Sequence, residues 1–167
     1  MGGIFFVVLF SGGMFFLVWY LNNKKKTELM SKGQIVDRGN NFYKQAHTFT
    51  TRTGDFSAIA RAIDHYVLGE NKITFEPYIE QGQIVFNNRV NFGSFRARLK
   101  TLGHQDGQYY YQFQVETWSE GQYGMTRQDL FGANILLTAI EKAFLRIDPE
   151  TGADRMAATY KTKTRLF

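Results

Sequence analysis

The sequence predicts an α+β protein: a single N-terminal transmembrane helix, then a two-layer domain of one antiparallel sheet packed against two helices, in the order β-α-β-β-β-β-α-β. Three observations carry this reading. The chain opens with an uncharged apolar run, two later segments repeat apolar residues at helical spacing, and six others read as strands, five of them by alternation of apolar with polar residues.

From Gly2 to Leu21 there are twenty residues without a charge. As a helix rising about 1.5 Å per residue they reach roughly the 30 Å of a bilayer's hydrocarbon core. Twelve of the twenty are Ile, Leu, Val or Phe, worth about −4 to −7 kcal/mol on an insertion scale. Trp19 and Tyr20 fall at the end of the run, where amphipathic rings prefer the headgroup level. A cleaved secretory signal needs a basic leader, a shorter apolar core and a small-x-small cleavage site, and the segment has none of these. Lys24, Lys25 and Lys26 follow directly, and positively charged flanks stay in the cytoplasm. The expectation is a single-pass protein of the cell membrane, N-terminus outside and C-terminal domain cytoplasmic. The lack of cysteine is neutral on this point, since an oxidising compartment permits disulfides without requiring them.

The expected division is an anchor over 1–23, a juxtamembrane stalk over 24–45 and a domain over 46–167. The stalk mixes polar residues with Gly33 and Gly39 and shows no period. The remaining residues, about 120, suffice for one domain with its own core. "AHTFTTRT" reads as a strand, and "DFSAIARAIDHYVLG" as a helix with Phe56, Ile59, Ala60, Ile63 and Val67 on one stripe, Asp55 as its cap and Gly69 as its stop. Four alternating segments follow, "NKITFEPYIE", "QIVFNNRV", "SFRARLKTL" and "QYYYQFQVETW", which predict an antiparallel meander. Pro77 cannot donate to a ladder, so its strand belongs at an edge or a bulge. Thr126 and Asp129 form a capping-box variant that opens a long helix, with Leu130, Ala133, Leu137, Ile140, Phe144 and Ile147 on its core face. "AATYKTKTRLF" alternates again and closes the domain as a last strand.

Catalysis needs converging groups, and the sequence offers few. His65 lies opposite the apolar stripe of its helix and reads as a surface residue. His104 belongs to the turn "GHQDG" and His47 to a strand beside the stalk; neither has a ligand-like partner spacing. Glu76 and Glu80 share a strand face but stand about 13 Å apart, too far for a paired-carboxylate hydrolase site. Nucleotide-binding, serine-hydrolase and zinc-protease motifs are absent. The chain therefore reads as a non-enzyme, with no cofactor and no metal site.

The basic residues are better organised. Arg96, Arg98 and Lys100 alternate along one strand and Lys161, Lys163 and Arg165 along another, giving a candidate surface for anionic groups. The plainer reading is a solvated sheet face relieved by Glu76, Glu80 and Glu116. Nucleic acid is the lesser partner, because the aromatic run "YYYQF" lacks the glycine-aromatic pattern of a ribonucleoprotein strand. On the long helix Phe131, Ile135 and Ala139 make a second apolar line, so Phe131 and Ile135 are candidate protein-interface residues. Two functions result: an interaction or accessory subunit that docks a protein partner, or itself, near an anionic membrane surface, and a tethered domain binding lipid or a small apolar ligand.

Overall fold

The computed structural model describes residues 2–66, 72–90, 93–122, 124–157 and 162–165, with residues 2–13, 15, 89, 90, 93, 154–157 and 162–165 described by backbone alone. The chain forms two compact units, Met1–Asp37 and Arg38–Phe167.

The first unit is built on helix α1, Gly2–Ser31. The helix runs on through Lys24, Lys25 and Lys26, so the first part of the expected stalk is helical, held by an i,i+4 pair between Glu28 and Lys32 at 2.6 Å. It ends where Gly33 adopts a positive φ of 63°, which lets Gln34 N–H reach Leu29 O (2.9 Å) and Gly33 N–H reach Met30 O (2.9 Å). This is the paired closure of a Schellman terminus. Among the described residues no helix is long and apolar enough to cross a membrane; of the expected span, the side chains of residues 1–13 and 15 lie outside those described.

The second unit is α+β with a single sheet. Its elements are β1 (Gln45–Thr51), α2 (Phe56–Asp64), β2 (Ile73–Tyr78), β3 (Gln83–Val90), β4 (Gly93–Gln105), β5 (Gln108–Gly121), β6 (Gly124–Met125), α3 (Arg127–Ile147), β7 (Gly152–Ala157) and β8 (Thr162–Arg165). The sheet order is β2-β3-β4-β5-β1-β7, with β6 and β8 also paired to β5. The meander β2 to β5 is antiparallel, and β2, which carries Pro77, is an edge strand. Asp55 caps α2 by accepting from Ala58 N–H at 3.0 Å. The β4–β5 hairpin turns on Asp106 and Gly107 at φ 53° and 75°, the two positive values that a right-twisted hairpin favours.

Three expectations are corrected here. A strand that was not expected precedes the closing segment: β7, Gly152–Ala157, pairs antiparallel with β1, while β8, within the expected last strand, runs parallel to β5. Val67, expected on the stripe of α2, and Gly69, its expected stop, lie outside the described residues, and the helix proper ends at Asp64. Residues 38–44, assigned to the stalk by composition, belong to the second unit, where Phe42 and Tyr43 are in the core. Tyr43 meets the Trp118 ring edge-on at 5.0 Å and accepts from Met125 N–H at 3.0 Å. A hydrophobic period is not needed to bury two rings, so composition could not reveal them.

The core lies between one face of the sheet and the two helices. Ile59 and Ile63 of α2 and Ala133, Leu136, Leu137, Ile140 and Phe144 of α3 are buried with Phe86, Leu99, Tyr111 and Phe113. Gly132 sets how closely α3 approaches: a Cβ there would stand 2.6 Å from Asn88 Nδ2 and 2.9 Å from Phe95 Cε1. Tyr111 donates from its hydroxyl to Thr53 O at 2.9 Å, and burial raises its pKa to about 12.

Asp148 fastens the end of α3 to the end of β1. Its carboxylate accepts from Arg52 N–H (2.8 Å), Thr51 Oγ1 (2.9 Å), Arg52 Nη2 (3.1 Å) and Glu150 N–H (3.1 Å). The backbone N–H of Arg52, then the Thr51 hydroxyl and the Arg52 guanidinium, hold its pKa well below the usual carboxylate range. A depressed carboxylate stabilises the fold above its unfolded pKa, and that contribution fades as the pH falls through the ordinary carboxylate range toward the folded value. Asp148→Asn is therefore expected to lower Tm at neutral pH and to flatten the fall of Tm between neutral and acidic pH. Parallel melting curves across that range check it; an unchanged slope would sink the assignment.

Candidate functional site

The polar face of β4 is less open than its sequence suggests. The β4–β5 register slips between Arg96, which pairs Thr117, and Ala97, which pairs Val115, so Glu116 is an extra residue on β5. The slip stands its carboxylate, 10% exposed, between two arginines. Arg98 Nε lies 2.8 Å from Glu116 Oε1 and its Nη2 donates to Oε2 at 3.2 Å, while Arg96 Nε lies 3.5 Å from Oε2. Arg98 also donates to Gln83 Oε1 at 3.0 Å. Two of the three expected β4 cations are thus neutralised in part by one buried-edge acid, and Arg96, 47% exposed, is the more available of the two.

The second basic triplet is placed apart from the first. β4 occupies one side of β5, and β8 pairs on the other, with Lys163 in the row of Trp118 and Arg165 in the row of Glu120. Arg96 and Arg98 sit in the rows of Thr117 and Gln114 instead. Lys161 lies outside the described residues, as do the side chains of Lys163 and Arg165. The expected apolar ridge on α3 is also altered: Ile135 and Ala139 are buried and Phe131 is half-buried, so the line is not an open surface.

The histidines do not converge. His65 is exposed at the end of α2 against Tyr66, and His104, which lies in β4 rather than in a turn, is exposed against Tyr109 at 4.4 Å. His47 is not at an edge: β1 runs between β5 and β7, and the ring is buried with Nε2 3.2 Å from Phe42 O. Among the described residues no three His, Asp or Glu side chains could hold a metal ion. A cleft of about 360 Å³ opens at the start of α3, lined by Asn40, Gln122, Met125, Thr126, Arg127 and Leu130 among others. The capping box beside it closes in one direction only. Thr126 Oγ1 accepts from Asp129 N–H at 3.3 Å, but the Asp129 carboxylate turns inward to accept from Ser119 N–H at 3.3 Å, where burial raises its pKa.

One cluster is invisible in the sequence. Arg38 has a side chain 1% exposed. Its Nη1 donates to Asn134 Oδ1 and, at 2.8 Å, to Thr138 Oγ1, and its Nη2 donates to Glu141 Oε2. Thr138 Oγ1 in turn donates to Asn134 Oδ1 at 3.3 Å. Asn134, Thr138 and Glu141 fall on one side of α3 by the i, i+4, i+7 rule, a spacing that by itself reads as a solvated helix face. The chain matches no protein-family model, no curated protein and no solved structure.

Proposed function

We propose that the chain is a membrane-anchored, non-catalytic interaction or accessory subunit whose α+β domain lies on the cytoplasmic side and docks a protein partner beside an anionic membrane surface. The observation that carries this reading is the uncharged run Gly2 to Leu21, placed in a helix that continues without a break past Lys24, Lys25 and Lys26 to Ser31. An unbroken helix satisfies its backbone groups internally, as a bilayer requires. Exposed Arg96 adds attraction toward anionic headgroups, about 1 kcal/mol per cation near the surface.

Docking of a protein is favoured by Tyr78, Ile79 and Leu102, each 40–49% exposed. They stand at one end of the sheet, where Thr101 N–H donates to Gly82 O at 2.8 Å and joins the β2–β3 connection to β4. The rival reading, a lipid or apolar-ligand carrier, calls for space between sheet and helices. That layer is occupied by Trp118, Tyr111, Phe49, Phe86, Phe113 and Phe144, each under 2% exposed.

The test is a topology experiment on the full chain in sealed membrane vesicles of known orientation. The chain is expected to stay in the pellet at alkaline carbonate, and the domain to be digested only when the cytoplasmic face is outward. Release into the supernatant would overturn the anchor; protection with the cytoplasmic face outward would overturn the orientation.

A further inference from the structure

A buried ion pair is an uneconomical way to stabilise a fold. Desolvating both charges offsets most of their attraction, and a well-packed apolar replacement is commonly as stable or more so. The Arg38 cluster is also more specific than a charge pair. Two guanidinium nitrogens are engaged separately, Nη1 by the Asn134 amide oxygen and the Thr138 hydroxyl and Nη2 by the Glu141 carboxylate. An ammonium is a single point of charge and cannot divide itself between acceptors in this way, whereas a guanidinium is a planar fork. The acceptors come from one rigid element, about two turns of α3, while the donor comes from an irregular segment. Next to Arg38 stands Gly39 at φ 71°, with nothing within 4 Å of where its Cβ would be, so the backbone there is uncrowded and holds a conformation that glycine adopts at no steric cost. Glu141 remains 30% exposed and gives solvent a route to the pair.

We propose that Asn134, Thr138 and Glu141 form a guanidinium receptor on α3 that Arg38 fills in cis, so that the segment 38–41, which precedes the core residues Phe42 and Tyr43, is a latch whose release opens the receptor to an arginine-bearing segment of another chain. This rests on the second unit alone and does not depend on the membrane reading. The receptor recognises a planar, doubly donating cation; the latch ends where Phe42 and Tyr43, each 2% exposed, anchor the chain in the core.

Two measurements on the full chain in detergent test it. The first is chemical rescue. Arg38→Ala should lower Tm, and millimolar guanidinium or N-acetyl-arginine methylamide should restore part of the loss, as a ligand that binds only the native state must. Methylammonium, equal in charge, should not, and Arg38→Ala with Glu141→Gln should not respond. Should Arg38→Ala fail to fold, Arg38→Met keeps the stem and vacates the head-group site for the same titration. No rescue, or equal rescue by methylammonium, would overturn the receptor. The second is hydrogen exchange on Glu141→Gln. Faster exchange confined to 38–41, with β4 and β5 still protected, is the expected result, whereas loss of protection across the whole unit would make Arg38 an ordinary core group and overturn the latch.

Discussion

Phe144→Ala is expected to lower the unfolding free energy by about 3–5 kcal/mol, the usual range for removing a fully buried aromatic ring. Phe144 is 1% exposed. Its ring stacks on Phe49 with centroids 4.7 Å apart and planes 7° from parallel, and it meets Tyr111 at 5.3 Å and 50°. The three rings join α3 to β1 and β5, so the vacancy would fall where helix and sheet meet and where neither backbone can close in without breaking a ladder or a helix turn. Urea unfolding followed by circular dichroism measures the loss. The adjacent Leu145 is 50% exposed, and Leu145→Ala should change stability by no more than about 0.5 kcal/mol. Equal losses at the two positions would mean that α3 does not present this face to the sheet.

That contrast was legible in the sequence, because 3.6-residue periodicity alone puts Phe144 inside and Leu145 outside. The same holds for α2, whose Asp55 cap and first four stripe residues are as the spacing predicts, and in part for the β4–β5 hairpin, whose turn falls on only the last two residues of "GHQDG", Asp106 and Gly107. The failures have physical causes. "GADRMA" has neither the alternation nor the β-branched content of a strand, and β7 forms because β1 offers it an edge. Alternation assumes an unbroken pleat, so it gave the β4 basic triplet but not the slip that sets Glu116 between its arginines. Arg38 sits in a polar stretch and its three acceptors on a polar helix side, separated by about a hundred residues of chain. Each half looks solvated, and only the packing of one against the other buries both. Those misses matter more to the site than to the fold, since the expected basic surface is reshaped by Glu116 while the buried Arg38 cluster lies elsewhere.

The α1 run is where a pair of substitutions should have the largest effect on the proposed function. Val8→Arg with Phe15→Arg is expected to abolish membrane integration. Each replacement exchanges a residue worth about −0.3 to −0.6 kcal/mol for one worth about +2.5 to +3.5 kcal/mol near the helix centre, so the pair opposes insertion by roughly 6–8 kcal/mol. The twelve apolar residues supply only about −4 to −7 kcal/mol, so the drive to insert is cancelled or reversed. Position is part of the prediction: Leu21→Arg, beside Trp19 and Tyr20 at the end of the run, should leave integration intact, because a long cationic side chain there reaches the headgroups. The readout is partition of the full chain between pellet and supernatant at alkaline carbonate, which strips proteins held only by electrostatic or protein contacts. If the double variant stays in the pellet at the level of the unmodified chain, the run does not hold this protein in the bilayer, and the attachment must come from the domain or its partner. If Leu21→Arg is released as fully as the double variant, the span is centred further toward Lys24 than the sequence indicates, and the boundary marked by Trp19 and Tyr20 is misplaced.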